Sequence, residues 1–153
     1  MRVTVRIAIV DDCAGLARMR AELWPDSSAE EHGQELLAIF KGEKKLVMPW
    51  VIFVAESESG ELVGFVEAGL RSCADGCEPW QPVGYMEGWY VRKERRRSGV
   101  GRKLIAAAED WARSHGCVDM ASDSLIENGV SQRAHQSLGY EEVERSVHYR
   151  KTL

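Results

Sequence analysis

No stretch of this 153-residue chain approaches the roughly 18 consecutive apolar residues of a membrane span, so a membrane partner is not expected. Cysteine is scarce. Cys13, Cys73, Cys77 and Cys117 are too few and too scattered for a disulfide framework. The Cys73/Cys77 pair lacks the second pair or nearby histidine that would complete four metal ligands, so unpaired thiols and no metal are expected. The opening MRVTVRIAIVDDC has no signal-peptide pattern, because apolar residues alternate with polar ones and acids follow at once; a cytoplasmic protein is expected. Repeats, low-complexity tracts and linkers are missing too, and residues 1–153 read as a single domain.

Positive charge is in deficit overall and concentrated locally. Lys and Arg number 20 against 24 Asp and Glu, a net charge of −4. From Glu56 to Glu87 there are seven acids and one base, Arg71, and the stretch from Glu22 to Phe40 contains no Lys or Arg. By contrast VRKERRRSGVGRKL, Val91 to Leu104, carries seven bases and one acid. Such a division suits two ligands of opposite sign, one polyanionic and one polycationic, or it is solvated surface charge. A nucleic-acid partner is disfavoured, since the bases are confined to one short stretch of an acidic chain with pI near 5.6.

Hydrophobic periodicity predicts a mixed α/β protein. VTVRIAIV alternates like a half-buried strand, and Asp11 or Asp12 can cap the helix that follows, with Leu16, Met19, Arg20 and Leu23 on one face. Trp24-Pro25-Asp26 ends that helix. SAEE from Ser28 reads as a capping box opening a helix to about Phe40. WVIFVAE and LVGFVEAGL form a hairpin across SESGE, and VGYMEGWYV is the next strand, its Gly84 and Gly88 marking a bulge or a close backbone approach. A helix from Gly99 to about Ser114, a short strand in VDMAS, a helix from Gly129 to Leu138 and two final strands, YEEVE and SVHYRKTL, complete the order β-α-α-β-β-β-α-β-α-β-β.

The basic island centres on RRSGVG. The backbone N–H groups of Ser98, Gly99, Val100 and Gly101 fall at the first turn of a helix, where unpaired amides and the helix dipole favour an anion. Glycine at 99 and 101 lets a diphosphate approach without a Cβ in the way. Neither a P-loop nor a dinucleotide fingerprint fits; the spacing [RQ]-x-x-G-x-[GA], met by Arg96, Gly99 and Gly101, does. With its strand before and helix after, the segment resembles the acetyl-CoA loop of the GCN5-related N-acetyltransferase (GNAT) superfamily, whose acyl-CoA N-acyltransferase fold the element order also resembles. LWP at Leu23, EG at Glu87, MASD at Met120 and ENGVSQRAHQSLGYEEVERSVHYRK from Glu127 are similar to aminoglycoside 6′-N-acetyltransferases of the AAC(6′)-I type, a likeness that covers nearly the whole chain.

The resemblance implies direct acetyl transfer from acetyl-CoA to the 6′-amino group of aminoglycoside antibiotics, which confers resistance. In it, Arg96, Arg97, Ser98, Gly99, Val100 and Gly101 hold the coenzyme's phosphates, and the backbone of Trp89, Tyr90 and Val91 holds the thioester and pantetheine. Asn128 matches a cofactor-contacting position, or is an ordinary helix cap. Proton removal from the amine falls to Glu87, beside Gly88, or to Asp123 at the end of a strand; either acid can instead be a substrate clamp or plain surface charge. Trp24 offers a face for a sugar ring or is a core tryptophan. Glu144 matches a substrate-site acid supplied in some relatives by the partner subunit, which implies a homodimer. His135 stands where the superfamily often has a tyrosine that protonates the thiolate, and only Trp80 can supply the aromatic of the loop after the third strand. A polyamine, a peptide N-terminus or a protein lysine is the alternative acceptor, and a non-catalytic acyl-CoA sensor is the remaining alternative.

Overall fold

Alternating side chains in Val3–Ile7 form β1, whose Arg6 bonds Asp12 at 2.7 and 2.9 Å and Glu56 at 2.6 Å. These contacts belong to a computed structural model that describes residues 2–153. The Asp12 carboxylate also accepts from the Ile9 N–H at 2.8 Å. It therefore braces the turn into α1 (Cys13–Leu23) without capping that helix through its side chain, a difference from the expected cap. Ser28 and Glu31 make the reciprocal capping box that opens α2 (Ala29–Phe40), as the sequence predicts.

β2 (Trp50–Ser57), β3 (Leu62–Arg71) and β4 (Val83–Val91) follow, then α3 (Val100–Ser114), β5 (Met120–Ser122) and α4 (Gly129–Ser137). The five strands lie in the order β1-β2-β3-β4-β5. All neighbours are antiparallel except β4 and β5, which run parallel. Alternate residues of β2 divide between two cores. Ile52 and Val54 pack with Leu16, Met19 and Leu36 of α1 and α2, whereas Val51 and Ala55 pack with Leu104, Ile105 and Ala108 of α3. Helices on both faces explain why β3 is buried almost end to end rather than alternating. Each fully buried side chain such as Phe65 or Leu104 contributes about 1.5–3 kcal/mol by leaving water.

Two features of the sheet position the site. Glu67 pairs with Gly88 and Ala68 with Met86, so Glu87 is the extra, unpaired residue of a bulge in β4. The glycines on either side have another reason: a Cβ on Gly84 would lie 2.6 Å from that of Ala112, and one on Gly88 would lie 2.5 Å from the Trp24 ring. Second, β5 pairs only with Gly84, Tyr85 and Met86. Beyond Met86 the β5 side of β4 has no ladder partner, leaving backbone donors and acceptors of the bulged half exposed to a ligand.

The predicted element order holds through α4 and then departs. YEEVE and SVHYRKTL are not strands here, and residues 141–153 are exposed along their whole length. A β-rich run becomes a strand only where another strand completes its hydrogen bonds, and this segment meets none among the described residues. It is anchored locally: Tyr140 donates to Glu109 at 2.9 Å, and Val143 covers Gly76 in the β3–β4 loop, where a Cβ would come within 2.7 Å of it.

Candidate active site

The turn from β4 into α3 is built by backbone geometry. Arg96 donates its Nε–H to the Val91 carbonyl at 2.9 Å, and the Ser98 hydroxyl donates to the Arg95 carbonyl at 2.6 Å. Arg97 adopts φ 62° and Gly99 φ 82°, both left-handed, which turns the following amides toward one side. Holding a non-glycine residue such as Arg97 there costs on the order of 1–3 kcal/mol. Gly99 begins α3 with no side-chain cap, so the first-turn N–H groups keep their capacity for an anion. A cavity of about 150 Å³ beside them is lined by Val3, Arg95, Ser98, Val100 and Lys103.

The two glycines of the motif turn out to serve different ends. A Cβ at Gly99 would meet nothing within 4 Å, so its requirement is the positive φ. A Cβ at Gly101 would lie 2.7 Å from Cζ2 of Trp89. Gly101 is thus also a packing glycine that lets α3 close against β4, a requirement beyond the close phosphate approach expected from the sequence. Gly101→Ala is expected to destabilise the fold by about 1–3 kcal/mol, because the Trp89 ring must move off its position. Urea unfolding together with acetyl-CoA titration checks this, and weaker cosubstrate binding is the expected companion. The indole Nε1 of Trp89 is buried with no partner, a donor held at the same β4–α3 junction.

On the other side of the bulge lies a cleft of about 180 Å³, lined by residues 46–50, Gly69, Leu70 and Glu87. Glu87 is exposed to it. Both its oxygens are engaged by Arg71, with Nη2 donating to Oε2 at 2.9 Å and Nε and Nη2 donating to Oε1 at 3.2 and 3.1 Å. The Arg71 guanidinium carbon stands 3.3 Å from the Tyr85 ring centroid. Burial works against the Arg71 charge, but the hydrogen bond to Glu87 and the charges of Glu87 and Asp123 override it and hold the group above its ordinary value. Burial and the nearby Asp123 charge push the Tyr85 phenol up to about 12, so it stays a neutral donor at physiological pH. Asp123, immediately after β5, therefore belongs to the same cluster as Glu87, two acids 36 residues apart brought together by the parallel β4–β5 pairing.

Trp24 touches both environments. Its ring sits over Gly88 and packs edge-on against Phe65 at 6.3 Å. The two sequence readings, core tryptophan and site aromatic, are thus compatible. Asn128 caps α4, its side chain accepting from the Ser131 N–H at 3.0 Å. His135 is held at both ring nitrogens: Nδ1 donates to the Ser131 carbonyl at 2.7 Å, which leaves Nε2 facing the Ser122 hydroxyl at 2.9 Å. Trp89 and Tyr140 stand edge-on to it at 5.7 and 5.8 Å. The Tyr90 side chain points into the core and donates to Glu22, so only the Tyr90 backbone is available at the β4 edge. Glu144 lies in the exposed C-terminal segment next to Val143, and Trp80 is 97% exposed.

Sequence reasoning missed Arg71 and Tyr85. The available signal was Arg71 as the sole base in an acidic stretch, but its partner depended on strand register: Arg71 faces Val83 and so lies diagonal to Tyr85. Among the described residues no cluster of three or more His, Cys, Asp or Glu is arranged to hold a metal, and no helix is long and apolar enough to cross a membrane.

The profile of the Acetyltransferase (GNAT) family matches residues 16–140. An aminoglycoside N(6′)-acetyltransferase type 1 of Klebsiella aerogenes is 40% identical over 149 residues, covering 97% of this chain and 96% of that protein. One from Stenotrophomonas maltophilia is 42% identical over 154 residues, covering 98% and 94%. Among solved structures, AAC(6′)-Iy in complex with the bisubstrate analogue CoA-S-monomethyl-acetylneamine superposes with a TM-score of 0.84 at 32% identity, covering 100% of both chains. An anion-ready helix start, a strand edge left open beyond the end of its short parallel neighbour and a family profile spanning both lead to one conclusion: the chain belongs to the Acetyltransferase (GNAT) family.

Proposed function

We propose that this chain, acting as one catalytic domain, transfers the acetyl group of acetyl-CoA to the 6′-amino group of aminoglycosides and so confers resistance to them. The observation that carries this reading is the position of Glu87, a bulge residue exposed to a cleft and adjoining the unpaired half of β4. The full-length aminoglycoside-acetylating relatives support the choice of acceptor. The residues present suit the cosubstrate: uncapped amides and basic side chains at one end, an open strand edge at the other. Bound there, acetyl-CoA supplies an activated acyl group and a sulfur leaving group.

The chain's own residues then have distinct tasks. The N–H groups of Ser98 to Gly101, with Arg96 and Arg97, hold the phosphates. Backbone groups of Trp89, Tyr90 and Val91 align the pantetheine and hydrogen-bond the thioester carbonyl as it gains negative charge. Asn128, while capping α4, lines the cofactor side. Glu87 takes the proton of the attacking ammonium, directly or through one water, and Asp123 holds a second ammonium of the polycation. Trp24 presents its ring to the sugar. A thiolate of modest basicity leaves without obligatory help, and His135, the candidate general acid by position, stands behind the Ser122 hydroxyl with Nε2 as its acceptor. The protein acts as a homodimer in the cytoplasm. The exposed β-rich arm, with Val147, Tyr149 and Leu153 open to solvent, supports a second copy as its strand partner, and Glu144 travels on that arm.

Thiol release from acetyl-CoA, corrected for the protein's four cysteines, is the test, run with neomycin and paromomycin in parallel. The two drugs differ at the 6′ position, amine in the first and hydroxyl in the second. Turnover with neomycin alone is expected. Equal turnover with both overturns the 6′ assignment, and turnover with neither, despite acetyl-CoA binding, transfers the proposal to polyamines, peptide N-termini and protein lysines.

A further inference from the structure

The carboxylate that lines the acceptor cleft is already paired with a cation. Arg71 engages both oxygens of Glu87 in a forked arrangement, while its flat face lies 3.3 Å from the centre of the Tyr85 ring and Asp123 adds a second negative charge nearby. A carboxylate with both oxygens committed to a guanidinium has little lone-pair capacity left for an incoming ammonium. Yet the Arg71 and Glu87 side chains are 45% and 37% exposed, so the pair is solvent-screened and readily exchanged. Tyr85 gives the guanidinium a second resting place when Glu87 is taken from it, because cation–π contact does not depend on the carboxylate.

We propose that Arg71 sets the affinity of the acceptor site for amines: it is a resident cation that the acceptor's reacting ammonium displaces from Glu87, and that a neutral hydroxyl at the same position does not. This rests on the reading of Glu87 as the group that meets the acceptor amine. The physical basis is an exchange of like for like. An ammonium replaces one charge-assisted hydrogen-bond partner of Glu87 by another, so the carboxylate never stands alone. A hydroxyl offers only a neutral donor, which is too weak to compensate the loss of a forked charged pair. Arg71 thereby makes every acceptor amine bind more weakly than Glu87 alone would allow, whereas a hydroxyl that leaves the pair in place is unaffected.

The experiment measures neomycin and paromomycin binding by calorimetry on the CoA-bound enzyme, together with neomycin turnover, for wild type, Arg71→Ala and Arg71→Gln. Removing the competitor is expected to tighten neomycin binding and lower its KM about three- to fivefold, the upper part of the range for an exposed pair. Paromomycin and CoA affinities are expected to stay within about twofold, and kcat likewise, since the lost interaction precedes the chemical step. Arg71→Gln, which keeps a polar side chain but no charge, is expected to behave like Arg71→Ala, and melting temperatures identify any variant whose fold is impaired. Weaker neomycin binding in both variants, or an equal change for both drugs, overturns the proposal and makes Arg71 a direct sugar contact or a structural residue. The same comparison on a Glu87→Gln background separates the two layers. There the Arg71 effect is expected to vanish. Its persistence shows that Arg71 acts elsewhere and overturns the proposal, whereas full turnover of Glu87→Gln alone overturns the role of Glu87 itself.

Discussion

Glu87→Gln is expected to lower kcat/KM for neomycin by about 10²- to 10³-fold while leaving acetyl-CoA affinity unchanged, the loss typical of a positioned general base. The substitution is nearly isosteric, so the bulge and the neighbouring Gly88–Trp24 contact survive; what disappears is the capacity to take a proton. The amide also loses the charge that Arg71 pairs with, so part of the effect falls on KM and part on kcat. Cosubstrate contacts lie at the unpaired edge of β4 and at the start of α3, neither of which includes the Glu87 side chain. Steady-state thiol release read beside acetyl-CoA calorimetry checks both halves. A loss below about tenfold, confined to KM, makes Glu87 a clamp for the sugar and moves proton removal to Asp123.

The second large effect is on stability. Arg20 is 6% exposed, and its Nη2 donates to Glu67 Oε1 at 3.1 Å, where the Trp50 indole also donates at 3.0 Å. Nη1 reaches Glu35 at 3.2 Å, and Glu35 in turn accepts from Lys44. The network ties α1 and α2 to β3 under the acceptor cleft, because Glu67 is paired with Gly88 and Trp50 lines the cleft beside Glu87. Arg20 Nε and Glu67 Oε2 have no partner among the described residues, so nothing else stands ready to compensate a missing member. Arg20→Met is therefore expected to cost about 3–5 kcal/mol at neutral pH, the price of a buried carboxylate without its counter-charge.

The sign of the pH dependence follows from Glu67. Burial raises its carboxyl above the ordinary value of 4.5, while the Arg20 charge and the Trp50 hydrogen bond pull it back. A carboxyl raised on folding disfavours the folded state once it ionises: its contribution is whole below 4.5 and is lost as pH rises through the folded value. Without Arg20 that folded value rises further. The deficit of Arg20→Met relative to wild type is thus expected to be small near pH 4 and to grow toward pH 7. Urea melts at the two pH values measure it. Arg20→Met/Glu67→Leu is expected to recover most of the stability at pH 7, since it removes both buried charges.

Some of this protein was settled by short-range sequence alone. The Ser28–Glu31 capping box, the hairpin between β2 and β3 and the apolar face of α3 depend on neighbours within a few residues, and each was legible. The basic island around Gly99 was legible too, because charge density is a local property. Other features depend on which strand lies beside which. That Glu87 is the bulge residue, that Arg71 closes on it, and that Asp123 joins the same cluster from 36 residues away follow from β3–β4–β5 register. Gly101 reads as a phosphate glycine from its place in the Arg96–Gly99–Gly101 spacing; that it also lets α3 close on Trp89 depends on tertiary packing. The C-terminal runs carry strand propensity, but propensity cannot supply the second backbone a strand requires, and among the described residues none is offered. Sequence determined the local geometry that binds an anion and the supply of acids for a cation. Only the folded sheet decided which acid, held by which arginine, faces the acceptor, because register is a long-range property that no window of sequence contains.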